Sequence, residues 1–293
     1  MKNYKTPSIF LISILFLIVS CTNQSEQPMD MNNIYPWCIV AYDSLERSPT
    51  ERIEMMKTMG FVKYAYDWRD RHLDEMAREL QLARDNDIEV LSVWLWLNAK
   101  GDSLGHLSPS NERIFDILET SQLKTTIWLS FSNNFFEGLT QQQSLDLSTK
   151  MIQFVFEKAE SIGCKIALYN HRGWFGNPAN QVAIIKALPH CHLTMVYNFH
   201  HAHQDLNTFP EVVKMIRPYL SAVNINGMRK DEVEILPVGA GDYEKDMIKL
   251  LMEAGYDGPW GLLGHVENED VKIVLERNMA GFRALLAKQP LPD

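Results

Sequence analysis

The stretch LTMVYNFHHAHQDLNTFPEVVKMIRPYLSAVNIN, residues Leu193–Asn226, contains a strand pattern, a helix pattern and a second strand pattern in succession. The runs Leu193–Phe199 and Ala222–Asn226 are short and largely apolar, as is typical of buried strands. Between them, Phe209–Pro218 has the apolar spacing of an amphipathic helix. A strand, a helix and another strand in this order indicate parallel strands joined by a helical crossover.

The same alternation continues from residue 35 to the end of the chain, and it favours a closed barrel. Eight β-then-α units in a chain of 293 residues predict one (β/α)8 TIM barrel over residues 35–293. The alternative is an open doubly wound sheet, but no glycine-rich dinucleotide-binding fingerprint follows the first strand. The predicted strands are Trp37–Tyr42, Val62–Tyr66, Val90–Leu97, Thr126–Phe131, Ile166–Asn170, Leu193–Phe199, Ala222–Asn226 and Trp260–Leu263. The helix patterns include Glu51–Met59, Leu73–Asn86, Leu145–Ile162, Phe209–Pro218, Glu244–Ala254 and Val271–Leu286.

Residues 1–20 have the pattern of a signal peptide. Lys2 and Lys5 precede the apolar run Ile9–Val19, which is short for a membrane-spanning helix. This arrangement predicts export from the cytoplasm.

The end of that segment, Ile18-Val19-Ser20-Cys21, resembles a bacterial lipobox. In this interpretation Cys21 is lipidated and becomes the mature N-terminus, and polar residues 21–34 form a tether. The protein would then be anchored in the cell envelope, facing the periplasm, with the outer membrane favoured. Ordinary cleavage with an incidental Cys21 is the alternative.

Composition limits the partners and the redox chemistry. The net charge is −9 and no basic run is present, which argues against a nucleic-acid partner because phosphate neutralisation needs clustered positive charge. Three cysteines follow Cys21, and their positions in or beside predicted strands indicate buried free thiols: Cys38, Cys164 and Cys191.

Polar, aromatic and imidazole side chains follow several predicted strands. The C-terminal ends of barrel strands surround the active site, so these side chains should meet at one rim and bind a small polar ligand. Period-two alternation turns Asn198 and His200 inward from the sixth strand, and Asn224 and Asn226 from the seventh. The candidate catalytic residues are His171, His201 and Asp67, and the candidate substrate-binding residues are Tyr169, Asn198, His200, Asn224, Asn226, His265, Trp68 and Trp174.

Several of these residues have a purely structural alternative. Asp67 could cap the helix after the second strand, and Trp68 and Trp174 could be packing residues instead of surfaces for a sugar ring. Asn170 could be a turn former. The loop Gly239-Ala240-Gly241-Asp242 follows the seventh strand, where barrels often bind phosphate, but it could also be a simple turn.

Taken in order, these strand ends resemble the xylose isomerase-like barrel superfamily, over roughly Tyr35 to Leu286. The resemblance rests on Leu168-Tyr169-Asn170-His171, on Asn198-x-x-His201 and on Ala254-Gly255-Tyr256-Asp257-Gly258-Pro259 before the last strand. It implies a TIM barrel and the chemistry of sugar isomerases, epimerases, dehydratases or abasic-site endonucleases.

The resemblance also implies a divalent metal, but the acidic ligands of that pattern are missing. The family places Glu at the end of strand 5, Asp-x-x-His after strand 6, His-x-x-Asp after strand 7 and Glu at strand 8. The corresponding residues here are Tyr169, Asn198 with His201 kept, Asn224 and Gly227, and Leu263. Neutral groups hold a hard cation poorly, so we expect the usual metal site to be absent. A softer site for zinc or a similar ion could use His171, His200, His201, His203 or His265.

These observations favour a sugar isomerase, epimerase or related lyase that removes a proton beside a carbonyl. With few inward carboxylates, His171 and His201 are the natural acid–base pair, because imidazole titrates near neutral pH. Asp67 could orient one of them or act as the base, the asparagines would hold hydroxyls, and Tyr169 could donate a proton.

The same residues are compatible with two other functions. A non-catalytic, lipid-anchored carbohydrate-binding protein that has lost the family metal site is the alternative. A repair endonuclease is disfavoured by the missing ligands, the predicted export and the net charge of −9.

The lipobox interpretation is tested by changing Cys21. Cys21→Ala should move the protein from the membrane fraction to the soluble fraction, or leave the precursor uncleaved, because the site of lipidation is lost. Fractionation and mass spectrometry of the native protein provide the measurement, and a native chain that retains residue 1 would contradict the interpretation.

Overall fold

The alternating strand and helix patterns form a (β/α)8 barrel in the computed structural model, which describes residues 31–230 and 235–287. The predicted signal peptide and most of the tether lie outside the described residues. The described strands are all parallel and hydrogen-bonded in the order β1-β8-β7-β6-β5-β4-β3-β2. They are β1 Ile34–Trp37, β2 Lys63–Tyr66, β3 Glu89–Leu97, β4 Thr126–Phe131, β5 Lys165–Tyr169, β6 Thr194–Asn198, β7 Leu220–Ile225 and β8 Trp260–Leu263.

Helices surround this ring of strands, and local sequence signals determine where several of them begin. Ser48 and Glu51 form a reciprocal capping box at the start of the first helix, and Thr140 and Gln143 form another at the start of the fourth. The helices are α1 Pro49–Met59, α2 Leu73–Asp85, α3 Pro109–Thr120, α4 Gln141–Ser161, α5 Gly173–Gly176, α6 Pro178–Ala187, α7 Phe209–Ile216, α8 Glu244–Glu253 and α9 Val271–Ala287. Within the described part of the chain, no helix combines the length and apolar character that a membrane crossing requires.

The first strand is the one that the sequence pattern misplaces. The predicted range, Trp37–Tyr42, is wrong because β1 begins at Ile34, opposite Trp260, and ends before Cys38, whose φ is 59°. Pro36 makes this segment a poor strand by propensity. A proline is tolerated where a strand lacks one of its two ladders, and β1 is hydrogen-bonded only to β8.

The seam between β1 and β2 is closed by a side chain. These strands lie side by side but are the two ends of the ladder order. Asp67, directly after β2, is buried, and its two carboxylate oxygens accept hydrogen bonds at 3.0 Å from the N–H groups of Val40 and Ala41. The helix-cap interpretation of Asp67 is therefore wrong, because its carboxylate instead links the segments that follow β1 and β2.

Aromatic rings fill the interior of the barrel. Trp37 lies 5.0 Å from Trp128 between ring centroids, and Trp94 lies 4.7 Å from Tyr169. Tyr35, whose ring lies 5.9 Å from that of Trp128, donates from its hydroxyl to Asn224 Oδ1 at 2.8 Å. This hydrogen bond needs a glycine in β8, because a Cβ on Gly261 would lie 2.1 Å from that oxygen.

The three cysteines of the barrel, Cys38, Cys164 and Cys191, are buried and unbridged, which confirms the prediction of free thiols.

The buried hydrogen bond of Tyr35 should contribute measurably to the free energy of unfolding. Tyr35→Phe should lower the free energy of unfolding by about 1–3 kcal/mol, because it leaves the Asn224 carbonyl buried without its donor. Urea unfolding followed by tryptophan fluorescence provides the measurement. Tyr219→Phe is the matched control, since that half-buried hydroxyl makes no hydrogen bond within the described residues. Equal losses in the two variants would contradict the assignment.

Candidate active site

A cavity of about 1480 Å³ opens at the C-terminal ends of the strands. Its position is that of the active site in TIM-barrel enzymes. Its walls combine flat aromatic side chains with imidazole, amide and guanidinium groups, the mixture that a small polar ligand requires. The lining includes Trp37, Asp67, Trp68, Arg69, Trp94, Trp96, Tyr169, His171, Arg172, Asn198, His200, His201 and His265.

The floor of the cavity is a neutral hydrogen-bonded network centred on Tyr169. Its phenol oxygen accepts hydrogen bonds from Trp37 Nε1 at 3.0 Å and from Asn198 Nδ2. The Asn198 carbonyl oxygen accepts from the backbone N–H of His200 at 3.1 Å. Burial raises the pKa of Tyr169 well above its usual value, so the phenol keeps its proton.

Asn170 extends the pairing of β5 and β6 beyond the last backbone ladder bond. Its Oδ1 accepts from the N–H of Asn198 at 2.7 Å, and its Nδ2 donates to the Asn198 carbonyl at 3.2 Å. The side chain thus positions Asn198 and the histidines that follow it, which is a different role from the turn former considered from sequence.

Four imidazole rings line the cavity above this floor. The ring centroids of His171 and His201 are 4.3 Å apart, and those of His201 and His200 are 4.6 Å apart. The ring centroid of His265 lies 6.0 Å from that of His200 and 3.6 Å from that of Tyr42, whose plane is tilted by 38°. The Nδ1 atoms of His171, His200 and His201 are buried and have no partner in the described residues. Buried polar atoms normally have partners, so three unpartnered nitrogens in one cluster are an unusual feature of this site.

Burial keeps the four rings neutral. Desolvation, followed by the positive charge of nearby Arg172, lowers the pKa of His171 to about 4. The pKa of His265 is lowered to about 4 and that of His200 to about 3, again mainly by desolvation. Desolvation also puts the pKa of His201 well below its ordinary value. A neutral imidazole presents one donor and one acceptor nitrogen, so each ring can take or give a hydrogen bond.

Three predicted ligand-binding residues do not line the cavity. Asn224 lies beneath it, bonded to Tyr35, and Asn226 donates to the Gly227 carbonyl at 2.8 Å. Because β7 ends at Ile225, the inward alternation does not extend to Asn226.

Trp174 is the third of these residues. Its ring packs 4.8 Å from Phe136, and its Nε1 donates to Gln141 at 2.6 Å. The structure therefore gives it the packing role that the sequence left open, whereas Trp68 does line the cavity.

The backbone amides of the glycine-rich loop after β7 bind the carboxylate of another residue of this chain, Glu244. Glu244 is buried, and its carboxylate accepts hydrogen bonds from the N–H groups of Gly239, Gly241 and Met228 at 3.1, 2.8 and 2.9 Å. The amides that could have held a phosphate are therefore already used.

Two tryptophans of the cavity wall were missed by the sequence reasoning. Trp94 and Trp96 in β3 stack at 5.8 Å, and Trp96 lies 4.6 Å from His171. The signal was present, because Ser92, Trp94 and Trp96 share one face of a strand with period-two alternation.

The family is identified by a sequence model. Residues 58–277 match the family described as xylose isomerase-like TIM barrel, and the chain belongs to this family. A comparison with curated protein sequences found no match.

Solved structures share the fold at low identity. D-Psicose 3-epimerase from Clostridium cellulolyticum H10 has a TM-score of 0.61 and 16% identity, covering 86% of this chain and 98% of its own. L-Ribulose 3-epimerase has a TM-score of 0.64 and 15% identity, covering 87% and 94%. The 3-keto-D-glucoside 4-epimerase of E. coli has a TM-score of 0.61 and 14% identity, covering 86% and 98%.

The residues that the resemblance sets at the family's metal positions are poor ligands for a divalent ion. Tyr169 and Asn198 are bonded to each other, Asn224 is bonded to Tyr35, and Leu263 is apolar. These groups carry no formal negative charge, which hard cations require. Among the described residues, no three His, Cys, Asp or Glu side chains are placed to hold a metal ion.

The neutral rings predict a loss of stability in acid. The pKa of His171 falls from an ordinary 6.5 to about 4 in the folded chain, so the unfolded chain binds more protons between those values. The resulting stability is fully present above pH 6.5 and decreases as the pH falls toward 4. Urea unfolding across this range should show that decrease, with a shallower slope in His171→Asn. Equal slopes in the two proteins would contradict the assignment.

Proposed function

We propose that this chain is a sugar isomerase or epimerase that transfers a proton at a carbon beside a carbonyl group. The observation that carries the proposal is the pair of neutral rings, His171 and His201, 4.3 Å apart in one cavity at the catalytic end of the barrel. Membership of the xylose isomerase-like family supports the reaction class, and the epimerases of the same fold act on sugars of suitable size.

In this mechanism one imidazole accepts the proton from carbon and becomes an imidazolium. It passes a proton to the second ring, 4.3 Å away between centroids, which returns a proton to carbon, so that both rings end neutral. A desolvated imidazole is a weak base in the empty cavity, but a developing enolate brings negative charge that favours the imidazolium form. The basicity of the imidazole therefore increases as negative charge forms on the substrate. The interaction is thus stronger in the transition state than in the ground state, as catalysis requires.

Tyr169 completes the reaction centre from below. Its oxygen accepts two hydrogen bonds, and no described residue accepts its own proton, so that O–H can donate to the enolate oxygen. The stacked rings of Trp94 and Trp96 offer an apolar wall to the C–H face of a sugar. Asp67 has no direct role in this scheme, because both of its oxygens bind backbone amides.

A carbohydrate-binding protein without catalysis is the second candidate. The floor at the family's metal positions favours it, because those positions are now filled by bonded neutral side chains. In either case we propose that the protein works at the cell envelope, anchored through Cys21, which lies outside the described residues.

The proposed reaction is tested through the two histidines. On a sugar that the wild type converts, His171→Asn and His201→Asn should each reduce kcat by about a hundredfold or more, because each removes a proton-transfer group. Incorporation of deuterium from D2O into a panel of ketoses and aldoses, followed by NMR, identifies that substrate and measures the rate.

His190→Asn is the matched control, since His190 is an exposed residue bonded to Gln153 outside the cavity. Unchanged rates in both cavity variants would exclude the histidine mechanism. A sugar that binds without any exchange would establish the binding protein instead.

A further inference from the structure

Two guanidinium groups stand at the mouth of the cavity without a carboxylate partner. Arg69, after β2, donates to the hydroxyl of Tyr42 at 2.6 Å and to the Trp68 carbonyl at 2.7 Å. Arg172, after β5, places Nη2 at 3.4 Å from Nε2 of His200. In residues 31–230 and 235–287, neither guanidinium forms a salt bridge with Asp or Glu.

The acidic residues of the lining are largely committed to other partners. Asp43 pairs with Arg47 at 2.8 Å, and Asp67 binds the amides of the seam. The others have partners of their own or lie in solvent: Glu46 near Arg71, Asp70 with Ser110, Asp102 with Ser108 and Asn111, and Glu267 exposed at the rim. Burial raises the pKa of the Asp67 carboxylate and Arg69 acts through space to lower it, but neither guanidinium makes a direct contact with a carboxylate in the described residues.

Both positive charges act on the same part of the cavity. Arg69 contacts Tyr42, whose ring centroid lies 3.6 Å from that of His265, and Arg172 contacts His200. Each guanidinium helps to lower the pKa of His171 and of His265. A ligand anion between these two groups would therefore lie beside the histidine cluster, next to His200 and His265.

The backbone at Arg172 is strained in a way that favours a functional role. Its φ of 50° lies in the left-handed region, which is costly for a long side chain. Such strain persists at sites where the side chain must be delivered to a given place. Here the strained residue directly follows His171 and delivers its guanidinium to the mouth of the cavity.

We propose that Arg69 and Arg172 bind the carboxylate of a sugar acid, so that the preferred substrate is a uronate or keto-acid sugar and not a neutral sugar. This inference rests on the proposed function and names its substrate class. Guanidinium forks match a planar carboxylate in two parallel hydrogen bonds. A phosphate is less well served, because the loop amides of Gly239 and Gly241 are already occupied by Glu244.

The test compares charged and neutral sugars on the same protein. Calorimetric titration of the full chain at low salt would measure Kd for D-glucuronate and D-galacturonate, for D-glucose and D-galactose, and for D-glucose 6-phosphate. We expect a uronate to bind about tenfold or more tightly than its neutral counterpart, the scale of one charge-assisted interaction.

Variants at the mouth of the cavity test whether Arg69 and Arg172 cause the preference for a uronate. Arg69→Gln and Arg172→Gln should each reduce the uronate preference, measured as the ratio of Kd for the neutral sugar to Kd for the uronate, by about tenfold. Arg71→Gln is the matched control, because Arg71 lines the same mouth but lies 3.8 Å from Glu46. It should change the preference by less than about twofold.

The outcomes separate this inference from the proposed function. Equal binding of uronates and neutral sugars, or a preference that survives both cavity variants, would overturn the inference and leave the sugar-converting function standing. Tighter binding of the sugar phosphate would replace the carboxylate with a phosphate. If none of these sugars binds, the inference and the sugar-binding function both fail.

Discussion

The hydrogen bonds to the hydroxyl of Tyr169 are the interactions on which the rest of the cavity depends. They join a donor on β1, Trp37, to a donor on β6, Asn198, across the middle of the barrel. The side-chain oxygen of Asn198 in turn accepts a hydrogen bond from the N–H of His200. The network around Tyr169 therefore positions the start of the histidine segment. The result is a floor of uncharged groups, and an uncharged floor is what allows imidazole rings to be buried above it.

The neutral and the charged groups of this cavity differ in exposure. The groups bonded to the Tyr169 hydroxyl are uncharged and the imidazoles are held in their neutral form, whereas the guanidiniums of Arg69 and Arg172 are exposed and permanently charged. Here the strongest attraction for an anion is at the opening, so the chain would use electrostatics to orient a ligand and short-range contacts to act on it.

Most of the fold could be predicted from sequence because every strand but the first is an apolar run separated from the next by a helix pattern. The first strand could not, since Pro36 has poor strand propensity and is tolerated only because one ladder is missing there. In the site, alternation placed Tyr169, His171 and Asn198 in the cavity, and would have placed Trp94 and Trp96 there too. It failed for Asn226, where the strand has already ended.

The sequence could not predict the roles of side chains whose hydrogen-bond partners are far away in the chain. Nothing near Asp67 or Glu244 in the chain shows that each carboxylate is taken up by backbone amides elsewhere. The closure of β1 against β2 has a mechanical consequence. This seam has a buried carboxylate in place of a ladder, and Arg69 leaves the barrel only two residues after that carboxylate. A ligand bound by Arg69 would therefore lie two residues from the carboxylate that joins the first strand to the second, so that ligand binding and closure of the barrel involve the same short segment.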